Sequence, residues 1–173
     1  VLRSEEGNLV PVSGMVPKIH GLEKISGTRY DNLSRVWCKS GHIRSRGPAQ
    51  SGRRGSTGRV LFIDHCGHQI YHNLTPDVCG IVCVGDDTTA VCGHICSHLG
   101  IPVFGIVDGD SDGIVSGSFV RGSVIAMAVS ERDDDIGAEI RDRIPHEMVS
   151  WDDMVRMLME YLRQRVRFST PGG

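Results

Sequence analysis

The clearest pattern in the chain is a set of short, continuous apolar runs, each followed by an acidic loop. Residues 60–63, 80–84 and 101–107 are almost entirely apolar and rich in β-branched side chains. Continuous runs of this kind, unlike runs that alternate with polar residues, are expected of parallel strands that are covered on both faces. The three runs therefore predict a buried, parallel sheet.

A helix is predicted between the second and third of these strands. From 88 to 99, valine, isoleucine, leucine and cysteine recur at helical spacing, and the pattern stops at Gly100, a suitable residue for a helix C-terminus. The stretch 80–113 is therefore a β-α-β unit. Because such crossovers are right-handed, the strands are parallel, and the loops after Val84 and Val107 open on the same edge of the sheet.

The remaining patterns extend this unit to a whole domain. Residues 124–129 predict a further strand and 133–144 a short helix with an acidic first turn, and a final amphipathic helix follows Ser150 as N-cap. We expect a three-layer α/β fold with a mostly parallel, Rossmann-like sheet. Its strands begin near Val60, Ile81, Ile101 and Val124.

The first third of the chain has no sustained period of either kind. Residues 1–58 predict an irregular or small β segment, and 41–58 are rich in arginine, glycine, serine and proline, which predicts a basic, flexible linker. The α/β domain is then 59–173.

Composition narrows the classes of partner. The formal net charge is −2, so the chain has no general attraction for nucleic acid or anionic membranes, and no run approaches the ~18 apolar residues of a membrane span. The six cysteines lie mostly inside apolar patterns, which favours reduced thiols and a cytoplasmic location. The chain begins at Val1 rather than Met, and we expect a longer parent protein.

Five aspartates give the first candidate site. They follow two predicted strands at the sheet edge where open α/β sheets bind ligands, and they are Asp86, Asp87, Asp108, Asp110 and Asp112. Carboxylates so crowded repel one another unless a cation or protonation relieves them, and oxygen ligands select Mg²⁺ or Mn²⁺ over zinc. The alternative is that these loops are only turns with Asx capping.

The turn from the second strand into the helix is a candidate phosphate site. Gly85, Thr88 and Thr89 combine exposed amides, hydroxyl groups and the positive end of a helix dipole. Asp87 or Thr88 is alternatively the N-cap of the helix.

A third candidate follows the first strand, where His65, Cys66 and His68 lie close together in the sequence. These residues suit a soft-metal or redox site. Alternatively, His65 or His68 is a general base beside a bound phosphate, because an unperturbed imidazole titrates near pH ~6.5.

Three resemblances follow from these loops. The Asp-Gly-Asp-Ser-Asp-Gly run from Asp108 resembles the Asp-x-Asp signature of Toprim domains, which implies a Mg²⁺-binding, Toprim-like fold. The residues 84–88 and 100–105 are similar to the Gly-Gly-Asp-Gly-Thr loop and following strand of NAD kinases. As a whole, 80–144 most resembles an uncharacterised protein family of methanogenic archaea, which implies a cytosolic protein longer than this chain.

These observations predict divalent-metal-dependent binding of a phosphate-containing small molecule or nucleic acid, with Mg²⁺ or Mn²⁺ as cofactor and no membrane partner. If the protein is an enzyme, phosphoryl transfer or phosphoester hydrolysis is the expected reaction class, and arginines between Arg44 and Arg59 would close over the phosphate. A non-catalytic ligand-binding or assembly module of an archaeal complex is the alternative, in which the acidic loops only cap helices.

Overall fold

The structure is a computed structural model, and it describes residues 2–6, 8–11, 55–110 and 118–171. The chain divides into two compact units, Val1–Gly41 and His42–Gly173. Within the described residues, no helix combines the length and the apolar character needed to cross a membrane.

The described part of the first unit is an antiparallel hairpin. It consists of β1 (Leu2–Glu5) and β2 (Asn8–Pro11), and Glu6 in the turn has a φ of 51°. The rest of the predicted irregular or small β segment, and the predicted linker up to residue 54, lie outside the described residues.

The second unit is built on a six-stranded sheet. Four parallel strands stand side by side in chain order, and an antiparallel strand flanks each end. The parallel strands are β3 (Thr57–Asp64), β4 (Val78–Val84), β5 (Val103–Val107) and β6 (Val124–Ala128). The flanking strands are β7 (Val149–Ser150) beside β3 and β8 (Val166–Ser169) beside β6.

Helices cover both faces of this sheet. A short 3₁₀ turn (Gly67–Gln69) leads into α1 (Ile70–Asn73), which packs with α2 (Asp86–Leu99) on one face, around Ile81 and Cys83. On the opposite face, α3 (Asp133–Arg141) and α4 (Trp151–Leu162) pack around Val82 and Val84. Two apolar cores, one on each side of the sheet, therefore hold the unit together.

One close approach ties α4 to the sheet. Trp151 is fully buried, and a Cβ at Gly80 would lie 2.0 Å from its ring. The indole Nε1 donates to the carbonyl oxygen of Gly122 at 3.0 Å, which satisfies the polar atom of this buried side chain. Glycine at position 80 is therefore required for the helix to reach the sheet.

The predicted mixed α/β class with a mostly parallel sheet is confirmed, and several boundaries are corrected. α2 begins at Asp86, two residues before the predicted start, with Gly85 as its N-cap, so neither Asp87 nor Thr88 is the cap. α3 ends at Arg141 rather than Ile144. Ser150 is the N-cap of α4, as predicted, because its side chain accepts from the amide of Asp153.

The two antiparallel strands and the short helix α1 were not predicted. In β8, Val166 and Phe168 alternate with Arg167 and Ser169, and this alternation matches an edge strand with one face on the core. Arg165, just before β8, contacts the carboxylates of both Glu131 and Glu139. It therefore ties the start of β8 to α3 and to the residues that precede α3.

Candidate functional site

The candidate site lies at the carboxyl edge of the four parallel strands. The loops after β3, β4 and β5 meet there, and α3 begins at the same edge because it follows β6. Short polar segments at strand ends are thereby brought together although they are distant in sequence.

Three of the five predicted aspartates converge. Asp86, Asp108 and Asp110 each offer a carboxylate oxygen, and these three oxygens lie within 4.8 Å of one another. Asp86 also fixes the loop after β5, since its Oδ2 accepts from the amides of Asp108 at 3.2 Å and Gly109 at 3.1 Å. Asp108 in turn accepts from the amide of Asp110 at 3.3 Å. The cluster is therefore held by backbone hydrogen bonds across two strand ends.

Burial and like charge both act on Asp86. Its pKa is raised from the ordinary value, chiefly by burial and also by the charges of Asp108 and Asp110, although the two amide hydrogen bonds act in the opposite direction. A carboxylate in this setting favours protonation or a bound cation.

A histidine stands beside this cluster. His65 follows β3 with a φ of 49°, a left-handed conformation that is uncommon for residues other than glycine. Its Nδ1 lies 2.6 Å from Oδ1 of Asp64. The other side of the ring lies over Gly85, where a Cβ would be 3.0 Å from both Cδ2 and Nε2. Gly85 has a φ of 101°, so position 85 demands glycine on two grounds.

Two further carboxylates, neither of them among the aspartates predicted from the sequence, face this histidine. Nε2 of His65 lies 3.6 Å from Oδ1 of Asp134 and 4.0 Å from Oδ2 of Asp133. Asp133 is buried, and its pKa is raised, chiefly by burial and then by the charge of Asp108. The sequence could have indicated Asp133 and Asp134, because a helix that directly follows a parallel strand must begin at the carboxyl edge of the sheet.

The residues of the predicted phosphate site divide into two groups. The amide of Gly85 is taken by the carbonyl oxygen of Ile106 at 2.9 Å, and the hydroxyl of Thr89 lies 3.4 Å from Sγ of Cys83 and packs against Gly105. The amide of Gly85 and the hydroxyl of Thr89 therefore both face the sheet. In contrast, the amides of Asp86, Asp87 and Thr88 donate to no acceptor in the described parts of the chain, as is usual in the first turn of a helix whose N-cap residue has no capping side chain.

Thr88 adds one unsatisfied group at this helix start. The residue is 2% exposed, and its Oγ1 has no hydrogen-bond partner within the described residues. Its Cα lies 3.6 Å from where a Cβ on Gly67 would be, which places it beneath the loop that carries His65. A buried hydroxyl without a partner costs roughly 1–3 kcal/mol.

Other candidates are not brought into the cluster. The carboxylate of Asp87 does not converge with those of Asp86, Asp108 and Asp110. Among the described residues, His65, Cys66 and His68 do not gather around one point either. Arg59 was expected near the phosphate, but it pairs with Asp77 near the amino end of β3, away from the candidate edge. Asp112 and the arginines from 44 to 54 lie outside the described residues.

The cysteines of the described residues form no disulfide, and Cys83, Cys92 and Cys96 are buried together under α2. The pKa of Cys92 is raised by its hydrogen bond with Cys83 and by burial, and burial also raises the pKa of Cys96. The thiols of Cys92 and Cys96 are therefore protonated core groups.

Fold and site together define a mixed α/β protein whose mostly parallel sheet carries aspartates and the imidazole of His65 at its carboxyl edge. The chain belongs to the family described as "Uncharacterized protein conserved in archaea (DUF2117)", whose model matches residues 1–148. The predicted resemblance to a protein family of methanogenic archaea is thereby confirmed.

One curated relative is the uncharacterized protein MJ0065 of the methanogen Methanocaldococcus jannaschii. It is 33% identical over 141 residues, which are 79% of this chain and 38% of the relative, so the chain spans well under half the length of that protein. No solved structure matches the chain. The likeness to Toprim domains and NAD kinases therefore rests on the loop sequences alone.

Proposed function

We propose that this protein binds a divalent cation, Mg²⁺ or Mn²⁺, through Asp86, Asp108 and Asp110, and that the cation holds a phosphate of a nucleotide or nucleic acid. The observation that carries the proposal is the convergence of three carboxylate oxygens within 4.8 Å at the carboxyl edge of a parallel sheet. Hard oxygen ligands at this spacing suit Mg²⁺ or Mn²⁺.

Electrostatics supports a cation at this point. Like charges about 4 Å apart repel by a few kcal/mol at an effective dielectric near 20. Burial and the two neighbouring carboxylates raise the pKa of Asp86, and a dication that these oxygens share would remove both penalties. Asp86 would keep its two amide hydrogen bonds through Oδ2 and offer Oδ1 to the cation.

The start of α2 supports the phosphate part of the proposal. Three amides there, of Asp86, Asp87 and Thr88, have no acceptor in the described parts of the chain, and they lie at the positive end of the helix dipole. Gly85 contributes by its conformation rather than its amide, and Thr89 is left out because its hydroxyl faces Cys83.

A cation at this position polarises a phosphoryl oxygen, so phosphoryl transfer or phosphoester hydrolysis is the reaction class that we propose if the protein is an enzyme. The finer description of the sheet as Rossmann-like or Toprim-like is part of the same proposal. Helices on both faces and acidic loops at the carboxyl edge support it. Reduced thiols in the described residues, three of them in the core under α2, support a cytoplasmic location.

Thermal unfolding at increasing Mg²⁺ or Mn²⁺ tests the cation. At a hundredfold excess over Kd, binding stabilises the folded state by about 2.7 kcal/mol, which raises Tm by several degrees. The double variant Asp108→Asn with Asp110→Asn should lose this shift. Asp142→Asn with Glu147→Gln, which removes two exposed charges elsewhere, should keep it.

The same experiment separates the alternative of a non-catalytic module whose acidic loops only cap helices. That alternative predicts no cation-dependent shift in the wild type, or an equal shift in both double variants. Adding inorganic phosphate or ADP with the cation tests the second ligand: we expect a further rise in Tm that requires both components, and additive effects would contradict a shared site.

A further inference from the structure

A groove opens at the amino edge of the sheet, on the side that α4 covers. It lies between the first turns of α4, the start of β6 and the residues that follow β8, and its volume is about 390 Å³. Pockets that hold small molecules have volumes of roughly 300–1,000 Å³. The Asp86 cluster lies at the opposite, carboxyl edge, so the groove is a separate candidate for a ligand.

The walls of the groove are mainly apolar. Val124, Val155, Met159 and Pro171 line it. Val155 and Met159, both on α4, pack against the core but are only partly buried. Apolar surface that stays in contact with water inside a concave site is stabilised when an apolar group covers it. A ligand that fits the groove should therefore have an apolar body.

Hydrogen bonds fix the turn before β6, which forms one wall of the groove. The amide of Ser123 donates to the carbonyl oxygen of Val120 at 3.1 Å. The carbonyl oxygen of Gly122 accepts from the indole of Trp151 at 3.0 Å, and Oγ of Ser123 accepts from the amide of Val103, also at 3.0 Å. This wall is therefore formed before a ligand arrives, which lowers the cost of ordering on binding.

Arg121, in the same turn, brings a positive charge to the groove. The residue is exposed and lines the groove, and it forms no hydrogen bond or ion pair with any other described residue. Asp152 also lines the groove, but it is engaged in an interaction of its own and is not ion-paired with Arg121. A guanidinium binds a carboxylate through two parallel hydrogen bonds, so the head group that complements this groove is anionic.

We propose that the groove binds a small amphipathic carboxylate, whose head group pairs with Arg121 and whose hydrocarbon body lies against Val155 and Met159. This site goes beyond the proposed function and shares no residue with the Asp86 cluster. Octanoate has the required chemistry. An exposed arginine alone would bind such a head group without regard to the length of its chain, whereas a groove that buries the chain distinguishes one length from another.

Titration of the whole chain with sodium octanoate tests the proposal, with ¹³C labels on the methionine methyl groups. The methyl resonance of Met159 should shift until it saturates, and that of Met148, which is exposed outside the groove, should not move. Each buried methylene should tighten binding about fourfold. Hexanoate, which is two methylenes shorter, should therefore bind roughly 15-fold more weakly than octanoate.

The head group is tested by one variant and one analogue. Arg121→Gln should bind octanoate about tenfold more weakly, the loss expected of one charge-assisted hydrogen bond. Arg163→Gln, which changes an exposed arginine at the end of α4, should bind like the wild type. Octylamine has the same body with a positive head group, and it should bind more weakly than octanoate to the wild type.

Several results would overturn the proposal. They are a Met159 resonance that never saturates, equal affinities for octanoate and hexanoate, equal affinities for octanoate and octylamine, and unchanged affinity for octanoate in Arg121→Gln. The chain-length series uses the wild type alone, so it decides the matter even if a variant folds poorly. A Met159 shift that appears when the protein is concentrated without octanoate, with a dimer in sedimentation equilibrium, would assign the groove to a second copy of the chain and refute the small ligand.

Discussion

Replacing Gly85 by alanine should destabilise the protein for two separable reasons. The backbone there has φ 101° and ψ 140°, a conformation essentially confined to glycine, which costs another residue about 1–3 kcal/mol. The new Cβ would also lie 3.0 Å from Cδ2 and Nε2 of His65. Overpacking costs about 1–3 kcal/mol, and we expect the lower end because the ring is 39% exposed and can swing away.

Urea denaturation of a double-mutant cycle separates the two contributions. His65→Gly removes the ring, and glycine accepts the φ of 49° at that position. In this background Gly85→Ala should cost about 1 kcal/mol less than in the wild type. Gly109→Ala is the matched control, because its φ is 87° and its Cβ would have only an ordinary contact with Met127, at 3.8 Å. Equal costs of Gly85→Ala with and without His65 would refute the packing of the ring over Gly85.

Two further predictions concern the frame of the domain. Gly80→Ala should destabilise it by about 3 kcal/mol or more, since the new Cβ would lie 2.0 Å from the buried ring of Trp151. Gly55→Ala is the control, because nothing lies within 4 Å of a Cβ at that position. Similar urea midpoints for the two variants would contradict the packing of Trp151 on Gly80. Arg165 holds the pKa of Glu139 at about 2, below its ordinary value of 4.5. A lowered pKa stabilises the folded state above pH 4.5, and this stabilisation is lost as the pH falls through the pKa of the folded state. Arg165→Gln should therefore be less stable than the wild type at pH 7. That difference in unfolding free energy should shrink as the pH falls toward about 2, and a gap independent of pH would contradict this account.

The β4-α2-β5 unit is predictable from sequence because each of its signals is local. Continuous β-branched runs mark the two strands, and the helical stripe of α2 ends at Gly100, which has a φ of 70°. The edge strands β7 and β8 are harder to predict, since each has at most four residues and their pairing depends on contacts across the whole sheet. The boundary of α2 shifted because Gly85, which has no capping side chain, ends the strand and starts the helix.

The candidate site was predictable as far as strand topology reaches. Parallel strands brought Asp86 and Asp108 to one edge, as expected. Thr89 could have been excluded from the sequence, because it lies three and seven residues before Cys92 and Cys96 and so shares their buried helix face. The contact between His65 and Asp133 could not be predicted by spacing, since it depends on the path by which the chain after β6 returns over the sheet.

The order of the strands has a consequence for where the protein can be cut. β7 and β8 seal opposite edges of the sheet, and both belong to the last part of the chain, with α4 between them. The family match ends at residue 148, immediately before β7. A chain trimmed to that boundary would expose the unpaired backbone of β3 and β6, two templates for aggregation, and would also lose α4 from the core. The boundary of the family match is therefore not a boundary of the fold.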